Sequence, residues 1–322
     1  PEIHLKHLVI DTDKYNIYDA VSKCTRCGYC LEVCPTYSIW KNELLSPRGR
    51  NQIIRRLIEG KLKNIKNADV LIDSCLLCSA CTDICYGSVP TADIVLEARR
   101  EKQNKYQKMI LSFILKLKGN KKLFDILIKT FYLMIRLKLL WLCDRLMFFK
   151  IIGFPSLSEA SKKLFSPPLK FLHEEIEKYT SKKQDIKWVY FLTCGTDYLF
   201  PDVGKSTLNV LNKIYGDGIF MENACCGLIS YNYGDIRDAQ RYAIENIKKF
   251  KKLKQKYNNF FIVLDCSSCA SFIKKYPQLL QDTEYYEEAV EFSKSVKDII
   301  EVIKPEHINS NIPVSLKSKR IT

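Results

Sequence analysis

Two cysteine runs constrain this chain more than any other feature: Cys24, Cys27, Cys30 and Cys34, followed by Pro35, and Cys75, Cys78, Cys81 and Cys85, followed by Tyr86. The first reads C-x2-C-x2-C-x3-C-P, and the second repeats the spacing without the proline. This is the ligand spacing of a pair of cubane [4Fe–4S] clusters. Three thiolates separated by two residues each can wrap three irons of one cube from a tight loop. The fourth, three residues further on and expected to open a helix, points to the other cube. The spacing therefore assigns Cys24, Cys27, Cys30 and Cys85 to one cluster, and Cys75, Cys78, Cys81 and Cys34 to the second. Zinc also takes four thiolates, but its sites use C-x2-C pairs set apart rather than four-cysteine runs.

The 322 residues suffice for two or three domains, and the 47% hydrophobic content is that of a globular chain. Residues 1–20 carry Glu2, Asp11, Asp13 and Asp19 and lack the continuous apolar core of a secretory signal. Fourteen cysteines without such a signal point to a reducing, cytoplasmic setting in which thiols serve metals. The net charge of +15 predicts attraction to an acidic partner, an anionic membrane surface or a nucleic acid. Zinc-finger spacing is lacking and the basic residues concentrate in an apolar helical stretch, which argues against nucleic acid.

Along the chain, Tyr18–Val21 is expected to start the helix that delivers the first cysteine loop. Between the runs, Ser46-Pro-Arg-Gly-Arg50 is a helix-start signal, and Ile53, Ile54, Leu57 and Ile58 follow at helical offsets. After Cys85, Gly87-Ser-Val-Pro-Thr91 is a turn, and Ile94, Val95 and Ala98 begin a helix. Residues 102–150 hold twelve Lys and Arg against two acids, Asp125 and Asp144. Phe124, Leu127, Ile128, Phe131, Ile135, Leu139, Leu142 and Leu146 recur there at helical spacing. Lys129, Arg136 and Lys138 interrupt every window long enough to span a bilayer. The stretch is either a helical linker packing on its own domains or a basic amphipathic surface for an anionic membrane or partner. Prolines at 155, 167 and 168 and the polar run 181–185 continue the linker.

A new domain then opens. Residues 188–193 form a buried-strand pattern, 203–214 a helix, 219–220 a short strand, 235–253 a basic helix and 260–264 a second clear strand. Alternation of this kind implies a parallel α/β core. The first strand ends in Cys194 and the last in Cys266-Ser-Ser-Cys269, with Cys225-Cys226-Gly227 between them. Residues just past the carboxyl ends of parallel strands are where an α/β domain places its site. Neighbouring side chains diverge, so Cys225 and Cys226 both serve only if the metal group is large or one thiolate bridges. Five converging thiolates favour a cluster. The alternatives are a four-cysteine zinc site with one bystander, and a redox-active pair at Cys266 and Cys269.

The two runs, Ser46-Pro-Arg-Gly-Arg50, the stretch from Val89-Pro-Thr to Glu97-Ala-Arg99, and the C…CCG…CxxC module together resemble the iron–sulfur subunits of glycolate, lactate and anaerobic glycerol-3-phosphate dehydrogenases. The module is also similar to that of heterodisulfide reductases. The resemblance implies an unusual [4Fe–4S] assembly, non-cubane in form, held by Cys194, Cys225, Cys226, Cys266 and Cys269. It implies an electron-transfer subunit fed by a flavin on a partner dehydrogenase and discharging to a quinone or another carrier, while the basic helical linker suits a membrane or membrane subunit at the inner face as a further partner. Disulfide or thiol chemistry at the third site is the alternative. Family members carry two such modules; here the second is truncated, lies on another chain or is absent.

The expected architecture is an α+β multidomain chain. It comprises a helical two-cluster ferredoxin-type domain (1–101), a basic helical linker (102–185) and an α/β cysteine-rich domain (186–322). Cys143 reads as a core residue. The histidines at 4, 7, 173 and 307 form no ligand pattern, and no dinucleotide fingerprint occurs, so no flavin or nicotinamide of the chain's own is expected.

Overall fold

Residues 17–62, 68–102, 121–137, 139, 167–180, 185–233, 235–304 and 307 are described by a computed structural model. They fall into two units: the described residues up to 102 together with Ile229–Arg237, and the remainder from residue 121 onward.

The first unit is helical. Helices α1 (Ile17–Ser22), α2 (Pro35–Trp40), α3 (Pro47–Ile58), α4 (Ala68–Asp73), α5 (Ala80–Asp83) and α6 (Thr91–Lys102) alternate with the cysteine loops. Ile17, Ala20, Val21, Ile54, Ile72, Val89, Ile94 and Val95 form its core, against which Cys24, Cys75 and Cys85 pack. Helix α3 starts at Ser46 because the Ser46 hydroxyl accepts from the Gly49 N–H at 2.9 Å and Pro47 supplies a preset φ at the first helical position.

Both cysteine loops turn in the same way. Arg26 and Gly28 flank Cys27 at φ 63° and 97°, and Leu77 and Ser79 flank Cys78 at 54° and 62°. A left-handed residue on each side of the second cysteine curls the backbone tightly enough to turn successive thiols inward. Cys34 caps α2 with Pro35 at the first helical position, as expected. Cys85 does not open a helix, contrary to expectation. Tyr86 offers no preset φ, the chain turns through Gly87 and left-handed Ser88, and the next helix waits for Thr91.

The second unit holds a four-stranded parallel sheet of order β2-β1-β3-β4. Its strands are β1 (Trp188–Phe191), β2 (Gly218–Met221), β3 (Phe261–Leu264) and β4 (Val296–Asp298). All four residues of β1 are buried, as befits a central strand covered on both faces. Helix α8 (Pro201–Tyr215) makes the first crossover, and α10 (Ile236–Lys256), which follows the short helix α9 (Leu228–Asn232) in the chain, makes the second. Leu172, Ile176, Leu208, Leu211 and Val302 close over Trp188, Tyr190 and Val263, each buried side chain of this size contributing roughly 1.5–3 kcal/mol.

Helix α7 (Lys121–Arg136), the described part of the basic stretch, belongs to this unit. Its apolar face finds aromatic partners: Phe124, Ile128, Phe131 and Ile135 pack around Tyr132, Phe171 and Tyr198, and Tyr132 donates to the Tyr198 carbonyl at 2.8 Å. Leu123, Ile126, Leu127, Leu133 and Leu137 are exposed. Residues 103–120 and 140–150, with Cys143, lie outside the described residues, as do His4 and His7.

Candidate iron–sulfur sites

In the first unit Cys34, Cys75, Cys78 and Cys81 line one small cavity together with Thr36 and Arg50. The fourth cysteine of the first run thus stands with the first three of the second. Cys34 and Cys81 are buried and Cys78 is exposed. Burial among the other thiols pushes the Cys81 thiol up to about 12. Cys30 is close enough to Cys24 and Cys27 to feel their charge, although burial is the larger reason its pKa is raised. The residues after Cys85 lie against the first loop: the rings of Tyr86 and Tyr29 meet edge to face at 5.3 Å, and a Cβ on Gly87 would lie 3.4 Å from the Lys23 carbonyl.

Arginines hold these loops. Arg50, 1% exposed, donates from Nε to the Leu71 carbonyl at 2.9 Å and from Nη2 to Thr36 and Ser74 at 3.1 and 2.9 Å. It thereby ties the chain after Cys34 to the chain before Cys75. Arg48 donates to the Arg26 carbonyl at 3.0 Å and pairs with Glu43 at 2.6 Å. Arg99 donates to the carbonyls of Ile72, Asp73 and Cys75 at the entry to the second loop. The helix-start signal and the Glu97-Ala-Arg99 segment therefore serve the cysteine loops directly, a role that periodicity does not reveal.

In the second unit Cys194 follows β1 and Cys266 follows β3. These adjacent strands are the ones between which the direction of strand addition reverses, the position where ligands bind in open parallel sheets. Cys194, Cys225, Cys226 and Cys269 line a cavity of about 510 Å³. Sγ of Cys226 is 3.1 Å from Sγ of Cys269. Cys266 joins the group through a hydrogen bond from Cys269, and this bond, aided by the N–H groups of Cys269 and Ser268, lowers its pKa to about 6. Cys226 and Cys269 are shifted upward by their thiol neighbours and by burial.

The adjacent cysteines are held by their backbone. Asn246, fully buried in α10, accepts from the Ala224 N–H at 2.8 Å and donates to the Cys225 carbonyl at 2.9 Å, while the Tyr276 hydroxyl donates to the Cys226 carbonyl at 2.7 Å. Asn223 bridges to both the N–H and the carbonyl of Leu192 at 2.8 and 2.9 Å. Gly227, at φ 91°, makes the tight turn after the adjacent cysteines. His173, read from sequence as scattered, is instead bound by two carboxylates: Nδ1 lies 2.8 Å from Asp197 and Nε2 lies 3.3 Å from Asp125.

Among the described residues no three His, Cys, Asp or Glu side chains converge closely enough to hold a single metal ion. The thiols stand around cavities instead. An all-thiol donor set with hydroxyl and guanidinium groups beside it fits iron–sulfur ligation.

A fold with paired four-cysteine loops in one unit and cysteines at parallel strand ends in another defines an iron–sulfur protein. Comparison with known proteins agrees: residues 20–89 match the 4Fe-4S dicluster domain and residues 188–274 the Cysteine-rich domain. The chain is 24% identical over 297 residues to the glycolate oxidase iron-sulfur subunit of Escherichia coli, covering 88% of this chain and 65% of that protein. It is 24% identical over 304 residues to a Bacillus subtilis protein named "Probable glycolate oxidase iron-sulfur subunit", covering 87% and 64%. Over 116 residues it is 33% identical to lactate utilization protein A 2 of Bacillus cereus, covering 35% of this chain and 46% of that protein. The chain therefore carries a 4Fe-4S dicluster domain and a Cysteine-rich domain, and over most of its length it is similar to glycolate oxidase iron-sulfur subunits. It spans just under two thirds of the length of the glycolate oxidase relatives. No solved structure matches it.

Proposed function

We propose that the chain is the electron-transfer subunit of an oxidoreductase complex, placed between a flavin dehydrogenase acting on a 2-hydroxy acid or glycerol 3-phosphate and a quinone or other carrier. The observation that carries this reading is the cavity shared by Cys34 and Cys75, Cys78 and Cys81, because exchange of the fourth ligand between two runs is the signature of paired cubanes. In this reading Cys24, Cys27, Cys30 and Cys85 hold one cluster, Cys34, Cys75, Cys78 and Cys81 the second, and Cys194, Cys225, Cys226, Cys266 and Cys269 a third of different form. Clusters bound there supply one-electron exchange. The residues orient the thiols, keep water from Cys34 and Cys81, and leave Cys27 and Cys78 at the surface, where an electron partner can come close.

The test is anaerobic purification of the tagged chain with its partners, followed by addition of glycolate, lactate or glycerol 3-phosphate. The reading expects a copurifying flavoprotein and a low-temperature paramagnetic signal that appears with one of these substrates. Clusters that stay oxidised in the presence of the flavoprotein and all three substrates would refute it.

Two finer points belong to the same reading. The exposed apolar residues of α7, next to Lys121 and Lys122, suit a peripheral contact with an anionic membrane or membrane subunit; among the described residues no helix is long and apolar enough to cross a membrane. A high-salt wash should then release the protein from membranes, whereas release by detergent alone contradicts the contact. The size of the cavity at the third site favours, as a second reading, thiol or disulfide chemistry there. Reoxidation of the reduced protein by a disulfide, lost in Cys226→Ser, would distinguish it.

A further inference from the structure

The β1–β3 ladder ends at the pair Tyr190↔Val263. Beyond it the two loops that carry Cys194 and Cys266 are bridged by one side chain, that of Asp265. Its Oδ2 accepts from the Tyr190 hydroxyl at 2.5 Å, and its Oδ1 lies 3.3 Å from Thr193 Oγ1 and 3.2 Å from Thr196 Oγ1. The two threonine hydroxyls are 2.8 Å apart, and Thr196 Oγ1 is 3.2 Å from the Tyr190 hydroxyl. Three hydroxyls bring three hydrogens to a carboxylate that only accepts, so the circuit closes on itself. Burial holds the Tyr190 phenol well above its usual range and keeps it a donor.

The placement relates this circuit to the thiols. Thr193 precedes Cys194 and Thr196 follows it by two, and the Asp197 N–H returns to the Thr193 carbonyl at 2.9 Å. Asp265 directly precedes Cys266. The hydroxyls thus frame one cysteine while the acceptor sits beside the other, at the point in the sheet where a site is expected. Packing alone would be served by apolar side chains, because a buried carboxylate costs free energy unless its partners are arranged for it.

We propose that Asp265 is the positioning residue of the third site: through Tyr190, Thr193 and Thr196 it fixes Cys194 against Cys266 and so sets the geometry of the cluster they share. This rests on the reading that the five cysteines hold a cluster. Outer partners of this kind hold ligands in register and tune the bound group without touching it.

The experiment uses the full chain, purified anaerobically as wild type, Asp265→Asn, Thr196→Val and Cys226→Ser. Iron content, low-temperature paramagnetic spectrum, third-site midpoint potential and thermal unfolding are read for each. Asp265→Asn should reduce third-site iron by about half or more, and should shift the spectrum and potential of what remains. Thr196→Val, which keeps the volume and removes one hydroxyl, should shift them in the same direction by less. The signals of the first unit should stay unchanged in both and serve as the internal reference. If both variants melt lower but keep the wild-type third-site spectrum and potential, Asp265 is only structural and the proposal falls. If Asp265→Asn does not fold, Thr196→Val decides by the same criterion. Should wild type contain no iron that Cys226→Ser removes, the reading of the site itself falls and takes this one with it.

Discussion

The two cysteine-bearing units hold their thiols by opposite means. In the first, the cysteines lie in short regular runs, and local backbone geometry does most of the positioning: left-handed residues flank Cys27 and Cys78, Cys34 caps a helix, and arginines bind the loop carbonyls. In the second, the cysteines are scattered over 76 residues, from Cys194 to Cys269. They meet because a parallel sheet brings two strand ends together and buried polar side chains anchor the intervening loop. A motif can therefore be written in sequence spacing where the chain curls on itself. Where a fold assembles the site, its supports lie far from the ligands and carry no fixed spacing.

The largest expected effect probes the buried tie between the two cysteine loops of the first unit. Arg50→Ala removes donors to the Leu71 carbonyl, Thr36 and Ser74 in a buried setting and should destabilise that unit by about 3 kcal/mol or more. Urea unfolding followed by signals from the first unit checks this, and a loss below about 1 kcal/mol would mean that the local turns suffice alone. In the second unit Asn246→Ala removes the acceptor of the Ala224 N–H and a donor to the Cys225 carbonyl. The expected cost is about 2–3 kcal/mol, together with loss of third-site iron while the first unit's iron is retained. Equal iron loss from both units would erase the distinction between them.

These two residues also mark how far the sequence could be read. The two cysteine runs, the helix from Ser46, the strands at 188 and 260 and the inward face of α7 at Phe124, Ile128, Phe131 and Ile135 follow from spacing and periodicity. Leu127, assigned to that inward face, is exposed instead, since a helix packed on one side keeps only part of a wide apolar stripe buried. β4 escaped notice because Val296-Lys-Asp298 is three residues long and follows a helix without a turn signal. Asn246, Tyr276 and Asp265 are ordinary residues of a helix, a short helical turn and a strand end until the sheet places them. His173 lies 48 residues from Asp125 and 24 from Asp197, a separation that no local period encodes.

A smaller effect compares the two cysteine loops with each other. Gly28 and Ser79 occupy the same left-handed position after the second cysteine. Gly28→Ala should cost about 1–2 kcal/mol, and Ser79→Gly should stabilise by up to about 1 kcal/mol. Thermal melts in which the two substitutions shift the unit in the same direction would contradict the shared loop geometry.

The smallest effect concerns protons in the metal-free chain. Cys266 has its pKa depressed from 9.0 to about 6, whereas Cys81 is raised from 9.0 to about 12. At pH 7 Cys266 is therefore a thiolate and Cys81 a thiol. The depressed value favours the folded second unit above the unfolded pKa, and this contribution fades as pH falls through about 6. Alkylation followed by peptide mapping should show Cys266 modification rising through about pH 6 and Cys81 protected at neutral pH. A Cys266 profile centred near 9 would remove the contrast.

The most direct test of the two-unit account is iron analysis with low-temperature paramagnetic spectroscopy on wild type, Cys34→Ser and Cys226→Ser prepared side by side. Wild type should hold about eight irons in the first unit besides those of the third site. Cys34→Ser should disturb the cluster bound by Cys75, Cys78 and Cys81 and leave that of Cys24, Cys27 and Cys30 intact, whereas Cys226→Ser should remove third-site iron and spare both. If Cys34→Ser instead abolishes the cluster of its own run, the ligand exchange within the first unit is contradicted, and if Cys226→Ser alters the signals of the first unit, so is the independence of the second.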